Sequence, residues 1–211
     1  MSPIKQLLEF PSVELADEDG LLAIGGDLSV ARLQLAYKSG IFPWYSEGEP
    51  ILWYAPDPRF VLFPDELIIS KSMKKILGSS KFSFTMNHAF ERVIKSCKEI
   101  NRVDQEGTWI TEAMEQAYIQ LHKNGLAISG ECWFEGKLVG GLYGVLTGSV
   151  FCGESMFSSM SNASKFAFIH LVQELTVKGI KLIDCQIETA HLKSLGAKFI
   201  SRSTYIDFLK E

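Results

Sequence analysis

No apolar run in this chain reaches the roughly 18 residues that a membrane-spanning helix needs. The opening stretch, MSPIKQLLEF, lacks the basic start and long apolar core of a secretory signal. Cysteine is scarce and scattered. Cys97, Cys132, Cys152 and Cys185 show no CxxC spacing, which argues against a disulfide framework or a zinc site and suits a reducing cytoplasm. The four histidines, at positions 88, 122, 170 and 191, show no metal-ligand spacing, so no metal is expected. Positive charge is not in excess: 21 Lys and Arg face 25 Asp and Glu, a net charge of -4. The chain as a whole is therefore not a basic nucleic-acid binder, although a local basic patch is compatible with RNA. Internal repeats, low-complexity segments and charged tails are also missing.

Two nucleotide and hydrolase signatures are absent as well. Gly140, Gly141 and Gly144 sit in one apolar stretch without a GxGxxG pattern or a P-loop lysine. GESMF, around Ser155, lacks the second glycine of a nucleophile elbow.

What the chain has is apolar content: 46% of 211 residues, enough for a sizeable core in one large domain or two small ones. GLLAIGGDLS (20–29) reads as an apolar run closed by a turn. SVARLQLAYKSG reads as a short helix capped by Ser29 and ended by Gly40. IFPWYSEGEPILWYAPDPR carries four of the seven prolines and predicts a rigid, extended, aromatic loop. After RFVLFP the pattern becomes regular. SKSMKKIL and NHAFERVIKSCKEI predict helices, and a third starts at Thr111, with Met114, Ala117, Tyr118 and Leu121 on one face and Asn124-Gly125 as its stop. A meander follows: GECWF and KLVGGLYGVL about Glu135-Gly136, then SVFCGESMF after Thr147-Gly148. NASKFAFIHLVQELTVKG predicts a helix capped by Asn162, and IKLIDCQIE a strand. Helices, antiparallel meander, helix, strand is an α+β order, with a domain boundary near Phe63.

In LIDCQ, strand alternation places Ile183, Cys185 and Ile187 on one face and Asp184 and Gln186 on the other. A carboxylate beside an amide can accept a proton and orient a reacting group; the plain alternative for Asp184 is a helix cap or an ion pair with a lysine. Glu154, inside the apolar stretch SVFCGESMFS, is a solvated strand end or a buried negative group awaiting a cationic substrate. The three glycines permit a bulge, close approach by a ligand, or tight packing of a helix on the sheet. Lys71, Lys74 and Lys75 share one helix face, which is either ordinary solvated surface or a phosphate-contacting patch. Trp44, Trp53, Tyr54 and Trp109 suit stacking on bases, or the core.

Taken in order, GLLAIGGDLS, GIFPWYS, PILWYAPDPR, GTWIT, LVGGLYGV, FCGESMFS, NASK, LIDCQ and SLGA resemble the leucyl/phenylalanyl-tRNA–protein transferases, from about Gly20 to the C-terminus. The resemblance implies a small N-terminal domain (1–62) and an acetyltransferase-related, GNAT-like domain (63–211) with a mostly antiparallel sheet. It implies a cytoplasmic enzyme, without cofactor, that moves Leu or Phe from aminoacyl-tRNA (Leu-tRNA, Phe-tRNA) to proteins or peptides with N-terminal Arg or Lys, marking them for N-end-rule degradation. Acceptors with acidic N-termini are the alternative on the same fold. By motif, Asp184 is implied as base or electrostatic partner of the amine, Gln186 as the orienting group, and Glu154 as the partner of the basic acceptor residue. Trp44, Trp109 and Phe151 are implied at the mouth of the site. Leu142, Met156, Phe168, Leu171 and Ile183 are implied in the pocket for the transferred side chain, and Lys71, Lys74 and Lys75 at the tRNA stem. Two rivals stand beside this. An acyl-CoA N-acetyltransferase needs a Q/R-x-x-G-x-G/A loop at a helix start, where this chain has SSMSNASKFAF. A non-catalytic RNA- or peptide-binding module is the other.

Overall fold

The computed structural model describes residues 2–4, 8–100 and 110–210. In chain order its elements are β1 (Ser2–Ile4), β2 (Leu21–Gly25), α1 (Val30–Lys38), β3 (Phe42–Pro43), β4 (Leu52–Tyr54), β5 (Arg59–Leu62), α2 (Lys71–Leu77), β6 (Ser83–Met86), α3 (Phe90–Glu99), α4 (Glu112–Lys123), β7 (Ala127–Phe134), β8 (Lys137–Thr147), β9 (Val150–Ser158), α5 (Ala163–Val177), β10 (Leu182–Gln186), α6 (Ala190–Lys193), β11 (Lys198–Ile200) and α7 (Arg202–Leu209).

Short hydroxyl side chains fix where most helices begin. Ser29, Ser70 and Thr111 each accept a hydrogen bond from the backbone N–H three residues on, at Arg32, Met73 and Met114, satisfying a donor the helix leaves free. Asn162 departs from this pattern. Its backbone is left-handed (φ 70°) and its side chain makes no cap bond; Ser158 Oγ instead accepts from the Ser164 N–H at 3.2 Å.

The proline-rich segment is more regular than an extended loop. Its residues form β3 and β4, which join β2 and β1 in a four-stranded sheet of order β1-β2-β4-β3. Pro43 is tolerated because β3 is an edge strand, where a missing N–H leaves no ladder gap. GLLAIG is likewise the strand β2 rather than the approach to a turn, paired with β4.

The larger sheet has seven strands in the order β11-β5-β10-β9-β8-β7-β6. Every pairing in it is antiparallel except β9 with β10, and the small sheet likewise has one parallel pair, β1 with β2, so the architecture is α+β with mostly antiparallel sheets. Two apolar cores lie on its two faces. One gathers Tyr37, Trp53, Phe90, Tyr118, Val150, Cys152, Leu182 and Tyr205, from α1, the small sheet, α3, α4 and α7. The other gathers Met73, Phe151, Phe168, Leu171, Ile183 and Leu192, with α2, α5 and α6. Gly140 holds α5 close: a Cβ there would lie 2.7 Å from the Ala163 carbonyl carbon. Tight helix packing thus accounts for that glycine.

Candidate active site

The two central strands part early. β9 and β10 pair over three positions only, from Leu182↔Val150 to Asp184↔Cys152. Beyond them the β8–β9 register steps from Gly144↔Gly153 to Tyr143↔Ser155, so Glu154 is the extra residue of a β-bulge. The β10–β5 register steps from Asp184↔Val61 to Gln186↔Phe60, and Gln186 takes a left-handed φ of 60°, a conformation costing about 1–2 kcal/mol for a residue with a Cβ. Bulges re-aim side chains next to sites. Where the strands separate, a cavity of about 520 Å³ opens, lined by residues of β3, β8, β9, β10, α5 and α6.

Asp184 is buried completely, at 0% exposure, and both its oxygens are occupied. Arg59 Nε donates to Oδ1 at 2.9 Å and Nη2 to Oδ2 at 2.7 Å. The Tyr205 hydroxyl donates to Oδ2 at 2.9 Å, and the Gln186 backbone N–H to Oδ1 at 2.9 Å. Arg59 lies between the rings of Phe42 and Tyr205, at 4.6 and 4.7 Å, and reaches the Gly40 carbonyl. Burial is the largest influence and opposes its charge, but Asp184, Tyr205 and Cys152 together outweigh it and hold the guanidinium above its usual pKa. Asp184 therefore has a bidentate arginine partner, not a lysine. It also holds the strained Gln186 backbone in place.

Glu154 is partly buried. Tyr118 OH donates to its Oε2 at 3.0 Å and Gln186 Nε2 to its Oε1 at 2.8 Å, and Tyr37 OH hydrogen-bonds to Tyr118 OH. Burial raises its pKa from 4.5 to about 7; the bonds from Tyr37, Tyr118 and Gln186 work the other way, and the charge on Asp184 adds to the rise. Burial also raises both phenols, with the Glu154 charge next in effect. With its Nε2 committed to Glu154, Gln186 keeps its side-chain carbonyl oxygen as an acceptor. A carboxylate that titrates near neutrality beside a free amide oxygen can bind a cation and orient an amine.

Leu142, Met156, Phe168 and Ile183 line the cavity, as do Trp44, Glu154, Asp184 and Gln186. Trp44 is 39% exposed at the mouth. Phe151 and Leu171 do not line it; each is 1% exposed, in the core of the α5 face. Trp53 is also core, its Nε1 donating to the Gly25 carbonyl at 2.8 Å. Trp109 lies outside the described residues. Lys71, Lys74 and Lys75 are exposed on α2, away from the cavity lining. Pairing across the sequence hid Arg59, Tyr205, Tyr37, Phe42 and His191. Tyr118 had one signal, its place on the apolar face of α4, which gives no hint of Glu154.

Residues 61–210 match the family model described as leucyl/phenylalanyl-tRNA protein transferase, and residues 26–57 that of its N-terminal domain. Over 203 residues the chain is 59% identical to the leucyl/phenylalanyl-tRNA–protein transferase of Flavobacterium johnsoniae, covering 96% of both chains. It is 57% identical over 203 residues to that of Christiangramia forsetii, covering 95% of this chain and 96% of the relative. Among solved structures, L-PGS from Bacillus licheniformis is similar at 14% identity, covering 84% of this chain and 57% of that one, with a TM-score of 0.44. A GCN5-related N-acetyltransferase from Kribbella flavida is similar at 10% identity, covering 77% and 57%, with a TM-score of 0.38.

Proposed function

The chain belongs to the leucyl/phenylalanyl-tRNA–protein transferase family, and from that premise we propose that it joins Leu or Phe, carried as an ester on tRNA, to the α-amine of an N-terminal Arg or Lys. The observation that carries the reading is one cavity with an apolar wall and a partly buried carboxylate, Glu154, set in the parting of β9 and β10.

The chemistry is aminolysis of an ester. The neutral α-amine attacks the ester carbonyl, a C–N bond forms, and the C–O bond to the terminal ribose breaks. The amine loses one proton and the ribose oxygen gains one. The ester supplies the driving force, so the protein has only to position the reactants and stabilise the charge that develops. The donor side chain lies against Leu142, Met156, Phe168 and Ile183. These walls suit a side chain unbranched at Cβ, as in Leu and Phe.

Glu154 in its ionised form receives the basic end of the acceptor, and the Gln186 carbonyl oxygen accepts from the attacking amine. Tyr118 and Tyr37 hold Glu154. Asp184 positions Gln186 through its backbone and adds negative potential; proton abstraction by Asp184 would displace at least one of its four donors and leave the Arg59 charge without its counter-ion, which disfavours it as the base. An acidic acceptor residue would bring a second negative charge to Glu154 and be repelled, which favours Arg and Lys. Trp44 borders the entry of the terminal adenosine, and Lys71, Lys74 and Lys75 meet the tRNA backbone. The reaction draws on charged tRNA, which places it in the cytoplasm, and its product carries a bulky apolar N-terminus, the mark read in N-end-rule degradation.

The test is transfer of labelled Leu from Leu-tRNA to peptides that begin with Arg, Lys, Asp or Ala. Transfer to the Arg and Lys peptides alone supports the reading. Transfer to the Asp peptide, or to none, overturns it.

A further inference from the structure

Neutralising Asp184 takes only two of the three nitrogens of Arg59, Nε and Nη2. The third, Nη1, donates to the Gly40 carbonyl at 3.3 Å. Alternation along β5 explains the aim. Phe60 and Leu62 enter the core on the α5 face, whereas Val61 enters the opposite core, so Arg59, two residues before Val61, takes that opposite side. Asp184 stands in register with Val61 and meets the guanidinium there. Gly40 belongs to the facing wall of the cavity. It lies between α1 and β3, with a left-handed φ of 77°. β3 carries Phe42 and Pro43, and Trp44 follows; all three line the cavity. The Phe42 ring covers Arg59 and stacks with Tyr54 at 6.1 Å between centroids, and Tyr54 lies 5.9 Å from Trp44.

One buried planar group therefore touches both walls. It reaches the small-sheet wall through Gly40 and Phe42, and the β10 wall through Asp184, whose Oδ1 holds the Gln186 N–H. These contacts close into a ring. The Gly40 N–H donates to the Tyr37 carbonyl at 3.1 Å. The Tyr37 hydroxyl bonds to that of Tyr118, which donates to Glu154. Glu154 accepts from the Gln186 side chain, and the Gln186 backbone N–H returns to Asp184 and so to Arg59. A guanidinium holds its donors in a fixed plane, so it sets the spacing of the groups it bridges; an ammonium carries the same charge at a single nitrogen and sets none.

We propose that Arg59 is a positioning residue for aminoacyl transfer: it fixes the spacing between the donor's seat beside β3 and Gln186, the group that orients the acceptor amine. This rests on the aminoacyl-tRNA reading above and deepens it. The charge that Arg59 offers Asp184 and the spacing that it imposes are separable, because lysine supplies the first without the second. Gly40 offers the same link from its other end. A Cβ there would lie 3.3 Å from Tyr205 Cε1, on a backbone whose left-handed φ a side chain strains, so Gly40→Ala disturbs the carbonyl that Arg59 holds and leaves every charge in place.

The experiment measures transfer from Leu-tRNA to an Arg peptide in the wild-type chain, Arg59→Lys, Gly40→Ala and the double variant, with rates expressed per folded chain and the folded fraction taken from urea unfolding. In Arg59→Lys, kcat is expected to fall about 100-fold, the scale of a misplacement of about 1 Å, while KM for donor and for acceptor each stay within about threefold, the split that marks an interaction realised in the transition state. Gly40→Ala should lower kcat about tenfold with the same split, and it carries the test alone if Arg59→Lys does not fold. The double variant should be at most about twofold slower than Arg59→Lys, because both changes break one link. An unchanged kcat per folded chain in Arg59→Lys would show that charge alone suffices and would overturn the proposal. A raised KM for one substrate with kcat intact, or losses that multiply in full in the double variant, would also overturn it. Each of these leaves wild-type transfer standing; a wild-type chain that moves no Leu from Leu-tRNA to the Arg peptide would overturn the parent reading itself.

Discussion

Replacing Glu154 with Gln should stabilise the fold at high pH and leave it little changed at low pH. The carboxyl has a pKa of about 7 in the folded protein against an ordinary 4.5, so between those values the folded state holds a proton that the unfolded chain has lost. Stability therefore falls as pH rises through this window, and the full penalty is present above pH 7. The separation corresponds to about 3 kcal/mol at 1.36 kcal/mol per unit. Gln is isosteric and removes the titration. Its amide still accepts from Tyr118 and, once Gln186 turns its own amide over, donates to that residue. Urea unfolding of both proteins from pH 5 to 8.5 measures the effect. The stability of Glu154→Gln relative to wild type should rise by about 2–3 kcal/mol across the range, most of it before pH 7.5. A difference that stays flat with pH would refute the claim that a desolvated, ionisable carboxylate sits in this bulge.

Three further expectations concern its neighbours. Arg59→Met leaves Asp184 charged and buried without its partner and should destabilise the protein by about 3–5 kcal/mol; the double variant Arg59→Met with Asp184→Leu should recover most of that in chemical denaturation, and additive losses would contradict the pairing argument. Tyr118→Phe removes a hydrogen bond that lowers the Glu154 pKa, so the rise of kcat/KM with pH, set by ionisation of Glu154, should move to higher pH; an unmoved midpoint would detach Tyr118 from Glu154. Lys74→Ala should weaken tRNA binding and reduce the salt slope of log K by about one, whereas an unchanged slope would place the tRNA elsewhere.

The parts of the fold legible in the sequence are those set by local chemistry. Ser29, Ser70 and Thr111 start their helices because a hydroxyl next to a free N–H acts over three residues. The β7–β8 turn at Glu135-Gly136 is legible for a similar reason, since both residues take positive φ. Asn162 misled because the same side chain that caps a helix also tolerates a left-handed backbone, and here the backbone use won. The short strands β2 to β5 were harder to read: runs of two to five residues, broken by proline, are stabilised by partners across the sheet rather than by their own pattern.

The site divides along the same line. Alternation put Asp184 and Gln186 together, and they are joined, but through a backbone N–H at a register shift rather than as two free side chains on one face. The partner of Asp184 is 125 residues away in the sequence, a distance over which no local pattern carries information. Glu154 was conspicuous as a carboxylate in an apolar run. Only the step in register between β8 and β9 explains how the run accommodates it: the bulge turns one residue out of the alternation that its neighbours obey. Phe151 and Leu171 show the converse. Their types suit a pocket wall, but the wall is made by residues one layer nearer the gap, and these two support it from behind.

The most direct measurement of the central claim is the ratio of kcat/KM for an Arg peptide over an otherwise identical Ala peptide, with Leu-tRNA as donor, in the wild-type chain and in Glu154→Gln. A partly buried charge pair is worth about 2–5 kcal/mol when one partner is removed. The account predicts a wild-type ratio of about thirtyfold or more, collapsing toward one in the variant. A ratio that survives the substitution would show that the acceptor's positive charge is read somewhere other than at Glu154.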